Sequence, residues 1–137
     1  MVWIQGLIVK PYVKMSRMMD KRRHKRVPLA ASATIRYNSE GSSEPIQAMT
    51  ADISLSGIGI YSDKPIREGT GLSIEITFFS TEDVTMTVSL QGESVYAREM
   101  GGEMGGMYFV GIEFDEEINP IQQPSLHHHL QKILSWS

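Results

Sequence analysis

Cysteine is absent from all 137 residues. That excludes disulfide scaffolds, thiolate nucleophiles and cysteine-ligated zinc, and it suits a reducing compartment. Long hydrophobic runs are missing too. The opening stretch Met1-Val2-Trp3-Ile4-Gln5-Gly6-Leu7-Ile8-Val9 is apolar, but far shorter than the roughly 20 residues a crossing helix needs. It has neither a leading basic group nor a small-residue cleavage pattern, so it does not read as an export signal. A cytoplasmic protein without a membrane span is the expectation. No Gly-x-Ser-x-Gly, no His-Glu-x-x-His and no phosphate-cradling loop occurs. Nothing supplies the convergent nucleophile and base, or the open metal site, that catalysis requires. Residues 17–36 contain no aromatic side chain, which counts against a basic segment that stacks the bases of a single strand.

What is present is a lopsided charge. Residues 1–26 hold eight Lys or Arg against one acid, Asp20, a charge of +7. The remainder holds five basic groups against fifteen acids, a charge of −10, and the two give the net −3. A basic arm is thus joined to an acidic body, a pattern suited to meeting an anion or an acidic surface. At 41% apolar and 21% charged, the body has the make-up of a folded globular chain, and its length suits one domain with short appendages.

The organisation along the chain is mainly β. Residues 1–20 read as an N-terminal extension or linker, with Met15, Met18 and Met19 spaced for one weak helical face. The expected domain covers 21–137. Ala33–Tyr37, Ile46–Ile53, Gly57–Tyr61, Leu72–Phe78 and Val84–Leu90 read as strands, as do Ser94–Ala97 and Tyr108–Phe114. Gly92 permits a bend before Ser94, and Gly101–Gly106 makes a hairpin loop. Leu126, Leu130, Ile133 and Leu134 share a helical face behind Asn119-Pro120 or Gln123-Pro124. Six or seven short strands closed by one helix suggest an antiparallel barrel.

Two stretches carry chemistry. Lys21-Arg22-Arg23-His24-Lys25-Arg26 is basic throughout. A guanidinium fork grips phosphate bidentately, binds guanine O6 and N7 together, or stacks on a base. Asp52-Ile53-Ser54-Leu55-Ser56-Gly57 ends a strand. Its Asp can accept from guanine N1 and N2 or orient an Arg, its Ser hydroxyl can reach phosphate or a base edge, and its Gly permits a sharp turn. Each stretch by itself also fits a plain reading, a solvated basic tail and an ordinary polar turn.

Taken in order, R-x-x-x-R at Arg22–Arg26 and D-x-S-x-x-G at Asp52–Gly57 resemble the paired signature of the PilZ domain family, bacterial receptors for cyclic di-GMP. The flanks Val27-Pro28-Leu29, Ile58-Gly59-Ile60 and Val110-Gly111-Ile112-Glu113-Phe114 also resemble it, over roughly residues 20–135. The resemblance implies a six-stranded antiparallel barrel with a C-terminal helix and a basic N-terminal arm. It implies a non-enzymatic sensor that needs no cofactor and no metal. Cyclic di-GMP would be held by Arg22, Arg26, Asp52 and Ser54, with Arg23 assisting and Gly57 shaping the loop. Ordering of the arm on binding would then signal to a protein partner in motility, exopolysaccharide or virulence control, from a monomer or a homodimer. The alternatives are a barrel that uses the arm on an acidic protein, or one that binds single-stranded nucleic acid; neither requires a small ligand.

Lesser features read as surface. His127-His128-His129 lie about 100° apart on a helix and do not converge on one metal. Glu113, Asp115, Glu116 and Glu117 read as a solvated acidic loop, and His24 as a bystander in the basic run. Glu75, Tyr96 and Arg98 are candidates for the ligand side of the barrel.

Overall fold

Alternation of apolar and polar side chains builds the barrel strand by strand. The computed structural model describes residues 24–39, 44–79 and 84–136, leaving aside the side chains of Met104 and Trp136. Seven strands appear in chain order: β1 (Val27–Pro28), β2 (Ala31–Tyr37), β3 (Ile46–Ile53), β4 (Gly57–Ser62), β5 (Gly71–Phe79), β6 (Thr85–Glu99) and β7 (Tyr108–Phe114). One helix, α1 (Pro124–Trp136), follows. In β5, Leu72, Ile74, Ile76 and Phe78 are buried while the residues between them face outward. The same period of two places Ala33 and Ile35 of β2, and Val110, Ile112 and Phe114 of β7, in the core.

The strands pair in the order β3-β2-β5-β6-β7-β4, and β4 pairs back onto β3. The result is a closed six-stranded antiparallel barrel, with β1 as a short outer strand against β3. Closure leaves the ring no free edge. Pro28 sits in β1, where its missing N–H costs no ring hydrogen bond. Thr50 pins the corner after β1: its hydroxyl accepts from Ala31 N at 3.1 Å and lies against the carbonyls of Leu29 and Ala31.

The bend expected at Gly92 is absent. β6 runs unbroken through it, serving β5 with its first half and β7 with its second. Glycine is needed there because a Cβ would lie 2.6 Å from the Glu113 carbonyl oxygen and 2.9 Å from Ile112 Cγ2. The irregularity falls instead between Ser94 and Tyr96, where Val95 is the extra residue of a bulge.

The helix seals one end. The Gln123 carbonyl accepts the first helical bond, from His127 N at 2.9 Å, and Pro124 follows at the position where a missing N–H costs nothing. Leu126 and Leu130 are fully buried, with Ile133 and Leu134 partly buried beside them. That is the face expected from spacing. No helix among the described residues is long and apolar enough to cross a membrane.

Candidate functional site

Strand register brings the two sequence stretches together. Val27 of β1 lies opposite Ile53 and Pro28 opposite Asp52. Val27 and Leu29 are buried on either side of exposed Pro28, so this dipeptide is anchored by its apolar neighbours. Arg26 is thereby set at the end of β3. Its Nη1 donates to Asp52 Oδ1 at 2.7 Å, with the two side chains 24% and 35% exposed. Arg26 Nε is buried and takes no partner among the described residues. With Nη1 on a carboxylate and Nε without a partner among the described residues, the guanidinium keeps donor capacity for an added anion.

Asp52 points outward because Ile53, next to it, points in. It stands opposite Gly59 of β4 just past a bulge in β3 at Ala51. A Cβ on Gly59 would fall 3.0 Å from Asp52 Oδ1 and 2.8 Å from Phe109 Cζ. Glycine there lets an aromatic ring from β7 lie beside the carboxylate.

The loop between β3 and β4 is held by Ser54. Its N–H donates to Gly57 O at 2.8 Å, and its hydroxyl oxygen accepts from the N–H groups of Ser56 and Gly57, each at 3.2 Å. Ser54 is 4% exposed. The hydroxyl expected to face a ligand is thus part of the turn in this state. Gly57 is dictated by β7: a Cβ would sit 2.6 Å from Ile112 O, and 3.6 Å from Arg26 Nη2. Phe114 N donates to Ser56 O at 2.9 Å, and Ile118 N to Leu55 O at 2.8 Å. These bonds join the loop to the segment leading into α1. His24 Nε2 lies 3.7 Å from Glu117 Oε1 of that segment, beyond hydrogen-bond distance.

Of the six expected ligand residues, Arg26, Asp52, Ser54 and Gly57 cluster at this end of the barrel. Arg22 and Arg23 lie outside the described residues, as does the weak methionine face of residues 10–20. Tyr96 and Arg98 share the outer face of Asp52, across β4 and β7. Glu75 does not: it faces Thr34 of β2, which faces Gln47, five residues from Asp52 along β3. Phe109 is the neighbour that pattern reading missed. Only the two glycines flanking it in space, Gly59 and Gly111, hinted that a ring lies over the sheet.

His129 packs on Phe78, ring centroids 5.0 Å apart, with Nδ1 buried and without a partner among the described residues. Burial, and then neighbouring His128, lower its pKa from 6.5. It therefore serves the seat of α1 as a neutral ring. No group of three or more metal-ligating side chains gathers among the described residues.

Comparison with known proteins bears on this geometry. The PilZ domain family model matches residues 20–134. Similar solved structures include the inhibitor of motility MotI/DgrA of Bacillus subtilis, 17% identical with a TM-score of 0.62, covering 83% of this chain and 52% of that one. The PilZ domain of YcgR from Escherichia coli, solved with c-di-GMP, is 12% identical with a TM-score of 0.57, covering 84% and 93%. PlzA of Borreliella burgdorferi, also solved with c-di-GMP, is 13% identical with a TM-score of 0.52, covering 92% and 58%. The chain therefore spans about half the length of the Bacillus protein. At these identities the likeness is one of fold. No curated protein matches the chain.

Proposed function

The chain belongs to the PilZ domain family, and from that premise we propose that it is a receptor for cyclic di-GMP that acts by binding rather than by catalysis. The observation that carries this reading is the Arg26–Asp52 pair, which joins the end of the basic arm to the barrel at 2.7 Å. Arg26 supplies donors for a phosphate or for guanine O6 and N7. Asp52 supplies acceptors for guanine N1 and N2. Arg22 and Arg23 add charge from the arm, and Ser54 and Gly57 keep the loop that presents Asp52. The YcgR and PlzA structures hold the same ligand, which supports the choice of nucleotide.

The output runs through the arm. Bound nucleotide holds the +7 segment against the barrel and changes the surface offered to a protein partner, a population shift set by the ligand's preference for the closed form. The loop's bonds to residues 114–118 give α1 a share in that change.

Calorimetric titration with cyclic di-GMP at physiological salt tests the reading, with GTP and a short oligonucleotide as controls. Selective binding that Arg26→Ala abolishes is the expected result. A folded native chain that ignores the nucleotide would overturn it and direct attention to an acidic protein as the arm's target. Uniform, steeply salt-dependent binding of every polyanion would mark phosphate attraction alone.

A further inference from the structure

Among the described residues, the Asp52 carboxylate accepts one hydrogen bond, from Arg26 Nη1 to Oδ1, and Oδ2 accepts none. The side chain is 35% exposed and follows a bulge, so neither burial nor a regular ladder fixes its rotamer. One contact between partly solvated partners is weak. A second constraint comes from β7. The point above Gly59 where a Cβ would stand lies 3.0 Å from Asp52 Oδ1, 2.8 Å from Phe109 Cζ and 3.1 Å from Phe109 Cε1. Ring edge and carboxylate oxygen therefore converge over one glycine. The edge of an aromatic ring carries the positive part of its quadrupole, which suits it to a carboxylate. The ring is clamped in turn from both flanking strands. Tyr61 of β4, opposite Phe109 in register, has its centroid 5.5 Å away, and Tyr96 of β6 has its centroid 6.2 Å away, each at an interplanar angle of 63°.

We propose that Phe109 is a positioning residue for the nucleotide site: its ring, clamped by Tyr61 and Tyr96, holds the Asp52 carboxylate in the rotamer that meets Arg26 and leaves Oδ2 open to a guanine N–H. The effect on binding rests on the receptor reading above, whereas the effect on Asp52 belongs to the chain without nucleotide. An acceptor set in advance removes the need to order it when the ligand arrives. Phe109 thus raises affinity without touching the nucleotide. A leucine at this position would keep the apolar contact with the tyrosines but would end short of Gly59 and present no ring edge to Asp52.

Two readouts test this on the native chain, Phe109→Leu, Tyr96→Leu and Ile35→Val. One is calorimetric titration with cyclic di-GMP. The other is the set of three-bond NMR couplings that report Asp52 χ1 in the absence of nucleotide. The native couplings should show a single rotamer. Phe109→Leu should average them over the staggered wells and weaken binding by about 2- to 12-fold, the equivalent of ordering one side chain on binding. Tyr96 is 43% exposed, so Tyr96→Leu keeps the fold while removing one side of the clamp; it should move both readouts the same way by less. Ile35→Val loosens the core opposite Ile46, at the other end of β3 from Asp52, and should move neither. If Asp52 keeps one rotamer in both aromatic variants, the positioning role is overturned, whatever their affinity. If both bind as the native chain does while Arg26→Ala does not bind, it is overturned and the receptor reading stands. If the native chain ignores the nucleotide, the receptor reading falls, and the couplings alone decide whether Phe109 holds Asp52.

Discussion

Replacing Asp52 with Asn removes the charge that Arg26 meets at 2.7 Å but keeps the side chain's shape. Both partners are partly solvated, so the pair contributes only about 0–1 kcal/mol to stability. Chemical denaturation of Asp52→Asn should therefore show a midpoint close to native, while nucleotide affinity falls sharply. Ser54 behaves the other way. Its hydroxyl is buried and accepts two backbone N–H groups, so Ser54→Ala leaves orphan donors and should cost about 1–3 kcal/mol of folding free energy, read from the same denaturation curves. The sequence presents Asp52 and Ser54 as equivalent members of one motif. Burial separates them, and burial depends on Phe114 and Ile118 closing over the loop from far along the chain.

At the scale of elements, α1 is held by its two buried leucines. Leu130→Ala should lower stability by about 2–5 kcal/mol, measured by thermal or denaturant unfolding. His129 gives the same helix a dependence on pH. Its folded pKa lies below 6.5, so the unfolded chain binds the proton more readily. That contribution is complete above pH 6.5 and is lost as pH falls through the interval beneath it. The Tm should fall as pH is lowered below 6.5, and His129→Phe should reduce the fall. The helix and nearly every strand were legible, because periods of 3.6 and 2 are local properties of the sequence. β1 was not, since two residues make no period; its existence depends on β3 lying alongside. Gly92 misled for a related reason. A glycine that permits a bend and one that admits a neighbouring backbone look the same until β7 is in place.

At the scale of the whole molecule, a charge of +7 on residues 1–26 is joined in sequence to a body of −10. If nucleotide orders the arm, hydrogen exchange across residues 15–27 should slow at saturating cyclic di-GMP, and unchanged exchange would end the switch idea. Short windows of sequence carried most of the strands, the helix face, the charge asymmetry and the two motifs, because composition and periodicity are local properties. The sequence also carried the family resemblance that the match over residues 20–134 bears out. The closure of β4 on β3, the reach of Arg26 to Asp52 across 26 residues of chain, and the seating of the Phe109 ring over Gly59 are outcomes of tertiary structure. Those outcomes are set by register between strands distant in sequence. No local pattern encodes register of that kind: it follows from burying one face of every strand at once within a closed ring.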